Sequence, residues 1–215
     1  MRKGYSWGEY KKAYIMERIR AFIAIELPDP VKQSLASLMD KLRPAEHPYV
    51  KWADTEGIHL TLKFLGNIAQ GQVPRIIEGI AQAAQGLSPF ELQIGGLGVF
   101  PNLQRPRVIW VAVKGDVERL STLQRGIDHV LLPLGFSREE RPFTPHLTLG
   151  RLRERASPGE RSSIGKLMMA TEFEGGPTME VKEISLMRST LTPSGAIYSR
   201  LASVELKGDL PIPHL

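Results

Sequence analysis

The sequence predicts a mixed α and β protein built as two similar lobes that face one another across a cleft. Two observations support this. Strand-like and helix-like segments alternate along the chain, which suits helices packed over sheet faces in an α/β or α+β arrangement. The tetrapeptide HLTL also occurs twice, at 59–62 and 146–149, each copy in a strand with helix-and-strand units on both sides. Four identical residues 87 positions apart mark a repeated motif, too short by itself to establish a duplicated domain.

Residues 1–19 show no clear start of a core strand and are expected to form an N-terminal extension. Met16, just ahead of the first good strand, makes an upstream start assignment the alternative. RAFIAIE at 20–26 is that strand, stopped by Pro28 and Pro30. Apolar residues at 31, 35, 38 and 42 form a helical stripe, and a short strand follows at 50–53. In IHLTLKFL at 58–65, Leu60, Leu62 and Phe64 alternate with His59, Thr61 and Lys63. That is the period of a strand with one buried face, and Gly66-Asn67 ends it. A helix is expected over 73–84, a strand over 90–94 and a glycine-rich loop over 95–102. An apolar strand follows over 107–113 and a helix over 117–132. Pro142 and Pro145 brake the chain ahead of the second motif strand at 146–150. A basic, polar loop spans 151–163 with a short helix after it, and the last strands cover 181–191 and 197–206. Pro211 and Pro213 mark a tail at 207–215. The expected organisation is one bilobal domain over 20–206 between two end segments.

Composition narrows the function. Apolar residues make up 42% and charged residues 24%, an ordinary globular balance. The longest apolar runs, such as 21–25 and 108–113, fall well short of the roughly 20 residues of a membrane span, so no membrane partner is expected. No early segment reads as a secretory h-region. The absence of cysteine excludes disulfides, thiolate nucleophiles and cysteine-ligated zinc or iron–sulfur sites, and fits a cytoplasmic location. Residues 1–20 hold six basic and two acidic residues, and so carry +4 of the net charge of +5. The nearly neutral body does not suggest a wide duplex-binding surface. A small anionic substrate or the end of a single strand is compatible.

The motifs point to proton-transfer chemistry. Alternation puts His59 and Thr61 on one strand face and His146 and Thr148 on the matching one, with the leucines packed beneath helices. A cyclic phosphodiester needs a base to activate water and an acid to protonate the departing sugar oxygen, on opposite sides of phosphorus. Histidine suits either role. Threonine hydroxyls can donate to the non-bridging oxygens where charge builds. A lone His-x-Thr is usually a satisfied polar pair; two copies are not so easily dismissed. Two histidines could also ligate zinc, but neither motif brings a nearby Asp or Glu and there is no HExxH, so no metal is expected. Arg151 lies beyond the second motif, where it either swings toward the phosphate or stays solvated. Lys63 shares the expected His59 face and either adds positive potential or is simply exposed. His47 and His214 read as surface residues, and His129 lies in a helix without a partner motif.

These motifs and their surroundings resemble the 2H phosphoesterase superfamily, and within it the RNA 2′,3′-cyclic phosphodiesterase family, historically called 2′-5′ RNA ligase. The resemblance runs through RAFIAIELP, VKWADTEGIHLTLKFLGNI, VFPNLQRPRVIWVAV, FTPHLTLGRL and ISLMRSTLTPSGAIYSRL, roughly residues 20–206. It implies an α+β fold of two pseudo-symmetric lobes, each an antiparallel sheet with outer helices, around a central cleft. It further implies His59 as proton donor and His146 as proton acceptor, with Thr61, Thr148 and Arg151 binding phosphate. The expected reaction converts a 2′,3′-cyclic RNA end to a 2′-phosphomonoester without metal or cofactor. Phe22, Phe100, Ser189 and Tyr198 are further candidates for contacts to the substrate, with aromatic stacking on a terminal base; Phe22 could equally be core. The expected partners are RNA ends or small nucleotides bearing a cyclic phosphate, and a monomer is expected.

The competing enzyme readings are a 2′-5′ RNA ligase and a small cyclic-nucleotide phosphodiesterase using the same site. A non-catalytic RNA-end binder is the reading from another class, and two intact His-x-Thr pairs argue against it. The N-terminal extension departs from the family pattern. Its Tyr5, Trp7, Tyr10 and Tyr14 interleave with lysines, as in an RNA-contacting arm or an unstructured segment.

Overall fold

The computed structural model of the protein describes residues 17–43, 48–174, 176–193 and 195–208. Residues 1–16, with the aromatic and basic cluster, and also His47 and His214, lie outside the described residues. Strand β1 (Arg18–Glu26), helix α1 (Asp29–Leu42), the short β2 (Val50–Trp52), β3 (His59–Ala69) and α2 (Val73–Ala84) form the first half. Then come β4 (Phe90–Phe100), β5 (Val108–Gly115), α3 (Val117–Leu131), β6 (His146–Leu152) and α4 (Pro158–Ala170). The chain closes with β7 (Thr178–Val181), β8 (Glu183–Leu191) and β9 (Ala196–Glu205). No helix among the described residues is long and apolar enough to cross a membrane.

The strands form two antiparallel sheets, ordered β3-β1-β8-β9 and β2-β6-β5-β4-β7. The motif strands occupy corresponding places: β3 pairs with β1 as β6 pairs with β5. Each half lends strands to the other sheet, since β2 joins the second and β8 and β9 return to the first. The lobes are therefore interlocked by exchange of strands. The expected α+β fold of two matched lobes holds. The main core is a continuous apolar layer including Ile23, Leu35, Leu60 and Ile68 of the first lobe and Ile109, Val111, Leu147 and Leu149 of the second. Helices α2 and α3 pack closely through small residues: a Cβ on Gly126 would lie 3.5 Å from that of Ala83, and one on Gly79 would lie 3.0 Å from Leu131.

Several boundaries differ from expectation for identifiable reasons. β1 starts at Arg18 and buries Ile19 against the core, two residues before the expected strand. The glycine-rich segment after Ile94 is strand rather than loop. β4 runs to Phe100 across an irregularity between Ile94 and Leu97, where Gly96 takes φ +88°, a conformation costly for other residues. β3 likewise continues through Gly66 at φ +70°. α4 begins inside the expected loop, at Pro158, because Ser157 and Glu160 form a capping box. The strand expected over 181–191 is β8 from Glu183, and Lys182 parts it from β7, a short strand that was not expected.

The largest correction concerns Lys63 and Phe64. β3 pairs Lys63 with Ile23 and Thr61 with Ala24, so Leu62 is an extra residue opposite no partner. Such a bulge reverses the alternation beyond it. Lys63 is therefore buried at 7% exposure, not on the His59 face, and Phe64 stands out at 67% exposure instead of in the core. The Lys63 ammonium pairs with Asp128 of α3 and donates to the Ser137 carbonyl at 2.7 Å, while Gln124 donates to the other Asp128 oxygen at 2.9 Å.

Candidate active site

His59 and His146 open β3 and β6, and the two strands approach one another where the lobes meet. Both imidazoles are half-buried. Each makes the same local contact: Nδ1 of His59 lies 2.8 Å from the Gly57 carbonyl oxygen, and Nδ1 of His146 lies 2.7 Å from that of Thr144. A carbonyl oxygen only accepts, so Nδ1 carries the proton in both rings and Nε2 is the nitrogen left for a substrate. The bond also fixes each ring's orientation, as backbone carbonyls do for histidines that ligate metals.

Thr61 and Thr148 follow two residues later on the same faces, half-buried. Both strands then bulge at the same place. In β6 the register skips Leu149, between the Trp110–Thr148 and Ile109–Gly150 pairs. Beyond the bulge Gly150 and Leu152 turn inward and Arg151 turns out, onto the face of His146 and Thr148. Phe64 and Arg151 hence occupy equivalent positions, each five residues after its histidine. One lobe presents an aromatic ring where the other presents a guanidinium.

Aromatic rings line both faces. Phe22 of β1 stacks on His59 with ring centroids 4.5 Å apart, and Tyr198 of β9 meets both rings edge-on at 5.3 and 5.0 Å. Phe22 is only 3% exposed, yet it belongs to a small cluster with Ala24 and Met187, separate from the main core. It is therefore a residue of the motif face. Phe64 extends this group, its ring centroid 6.3 Å from that of Phe22. Ser189 stands opposite Tyr198 on the neighbouring strand, at 9% exposure. In the other lobe Phe100 meets His146 edge-on at 5.0 Å and lies against Trp110 at 4.9 Å.

Phe64 and Trp110 are the site-face residues that sequence reasoning missed. Phe64 was hidden by the bulge. Trp110 sits in an apolar strand, and only the pairing of β5 with β6 sets it opposite Thr148. Its buried indole N–H has no hydrogen-bond partner among the described residues. The ring lies flat over Gly98, where a Cβ would come within 2.2 Å of it. Gly57 plays a milder version of that part under Tyr198, with 3.3 Å to a notional Cβ.

Electrostatics favour neutral imidazole at His59. Burial pushes its pKa below the ordinary value, against the Nδ1 bond to Gly57 and the charge of Glu26, which act the other way. Among the described residues no three His, Cys, Asp or Glu side chains group closely enough to hold a metal ion.

Paired histidines with threonines two residues on, carried on matched strands of two interlocked lobes, form the candidate site. Residues 25–110 and 111–198 each match the model of the LigT-like phosphoesterase family, one motif in each stretch. The chain belongs to that family. It is 37% identical over 182 residues to an RNA 2′,3′-cyclic phosphodiesterase of Methanothermobacter thermautotrophicus, covering 85% of this chain and 96% of that protein. Another protein of that name, from Archaeoglobus fulgidus, is 32% identical over 187 residues, covering 87% of this chain and all of the relative. A crystal structure of a Thermus thermophilus protein superposes with a TM-score of 0.73 at 27% identity, over 89% of this chain and all of that one.

Proposed function

We propose that the protein hydrolyses 2′,3′-cyclic phosphates at RNA ends to 2′-phosphomonoesters by two-histidine acid–base catalysis without a metal. The observation that carries this reading is the shared Nδ1–carbonyl bond, which leaves Nε2 of both His59 and His146 for proton transfer. Nε2 of His146 takes a proton from water as its oxygen bonds to phosphorus. The P–O3′ bond breaks on the opposite side, and His59 delivers a proton to the departing 3′ oxygen. The Thr61 and Thr148 hydroxyls and the Arg151 guanidinium donate to the non-bridging oxygens, where negative charge develops. The anionic phosphate itself favours imidazolium at His59, offsetting the effect of burial.

Base recognition falls to the aromatic faces. Phe64 and Tyr198 on one side and Phe100 and Trp110 on the other offer stacking surfaces that tolerate any base, with Phe22 buried against His59 as their support. Ser189, beside Tyr198, adds a hydroxyl to the same face. Both motifs lie in one chain, so the reaction is expected of a monomer. The relatives' shared name, RNA 2′,3′-cyclic phosphodiesterase, supports the reaction class.

Phosphorus NMR of a short RNA ending in a 2′,3′-cyclic phosphate, incubated with the protein and EDTA, tests the reading. The 2′-monoester is expected as sole product. A 3′-monoester would reverse the leaving group, and activity that returned only on adding metal would replace acid–base catalysis with a metal site. No turnover by folded protein would redirect attention to ligation or to a smaller cyclic nucleotide.

A further inference from the structure

The two motif faces match in their histidines and threonines and differ in the residue opposite each histidine. On β5, Ala112 stands opposite His146; on β1, Glu26 stands opposite His59. Directly opposed residues of antiparallel strands project to the same side, with Cβ atoms about 4.5–5.5 Å apart. The first lobe thus sets a carboxylate beside its histidine, and the second sets a methyl group there.

Glu26 is built in as an anion. Its Oε1 accepts from Ser185 Oγ at 2.5 Å and from Arg200 Nε at 2.7 Å, and Arg200 is braced in turn by Glu183 at 3.0 Å. Both bonds converge on one oxygen, and Oε2 takes none from the described residues. Burial opposes ionisation of Glu26. The hydrogen bonds from Ser185 and Arg200 and the charges of Arg200 and Lys32 outweigh it and hold the carboxyl below the usual range.

We propose that Glu26 is a positioning residue for His59: its fixed charge partly offsets the burial that disfavours imidazolium there, so that His59 can hold the proton it donates, while Ala112 gives His146 no such partner. The inference rests on the acid and base roles given above. Arg200 is the counterweight, because its charge limits how far Glu26 acts on the ring. The other charged or titratable groups around His59 are Tyr198 on β9, Glu183 on β8 by way of Arg200, and the Lys32–Glu56 pair at the turn before β3. Across the cleft on β6 stand His146 and Arg151.

Histidine Cε1–H NMR titrations of the full chain test this in Glu26→Gln, Glu26→Asp and Arg200→Gln. Glu26→Gln should lower the His59 pKa by about one unit, a tenfold loss of proton affinity, and leave His146 unmoved. Arg200→Gln should raise the His59 pKa, because Glu26 loses its neutralising partner, and Glu26→Asp should keep most of the wild-type value. Both Gln variants break the same ion pair, so a merely structural role would move His59 in the same direction in each. That result, or an unmoved His59 in folded Glu26→Gln, would overturn the proposal. The titration does not depend on turnover, so a failed cyclic-phosphate assay in the wild type would sink the reaction and leave this measurement readable.

Discussion

Single residues differ here chiefly in what stands beside them. His59 and His146 have the same backbone contact, and Thr61 and Thr148 the same spacing, so loss of either partner should be comparably damaging. His59→Ala and His146→Ala are each expected to lower kcat by at least about a hundredfold, with unchanged circular dichroism; near-normal turnover in both would refute the pair. Thr148→Val, which keeps the shape and removes the hydroxyl, should cost about a hundredfold or more in kcat if the oxygen serves as a charge-stabilising donor. A change confined to KM would instead make it a ground-state contact.

At the scale of elements, the bulges decide which side chains reach the site. Leu62 and Leu149 interrupt pairing at the same position in β3 and β6, turning Lys63 inward and bringing Phe64 and Arg151 outward. Lys63 then joins β3 to α3 and to the segment leading to His146, through Asp128 and the Ser137 carbonyl. Lys63→Met should destabilise by about 3–5 kcal/mol, because it leaves the Asp128 carboxylate buried and unpaired. Lys63→Met combined with Asp128→Leu should recover most of that in urea unfolding; additive losses would mean that the ion pair is not the reason. In β4, Gly98→Ala must displace the Trp110 ring. A cost of about 1–3 kcal/mol is expected, together with a shift in tryptophan fluorescence. The normal spectrum and stability would show that the ring can move aside freely.

For the whole molecule, acid should loosen the fold in two stages. The folded His59 pKa lies below its unfolded value near 6.5, so between the two the unfolded chain binds more protons. The stability associated with neutral His59 is present above pH 6.5 and falls as pH drops through that window. Glu26, also lowered from its ordinary 4.5, adds stability present above that pH and lost as pH falls through its folded value. Urea midpoints measured from pH 7.5 to 4 should decline across both ranges, and His59→Gln should flatten the upper one. An unchanged upper slope in that variant would assign it to another group. The exchange of β2, β8 and β9 between halves further predicts a single cooperative transition, since neither sheet can be completed by one half alone.

By itself the sequence determined the candidate pair and its setting: two HLTL strands, the absence of cysteine, and enough surrounding pattern to expect an α+β fold of two lobes. These features were legible because alternation and turn chemistry are local, and the motif is repeated within one chain. Tyr198 and Phe100 could be nominated as substrate contacts, and the rings do stand against His59 and His146. Only the tertiary structure decided which residues share those faces. A bulge changes side-chain direction without altering local composition, so Lys63 and Phe64 read correctly as a strand and wrongly as faces. Trp110 and Glu26 reach the histidines through pairing with distant strands, and register is set by how whole sheets pack. The same long-range pairing puts a carboxylate beside one histidine and a methyl group beside the other, an asymmetry that two identical tetrapeptides cannot encode.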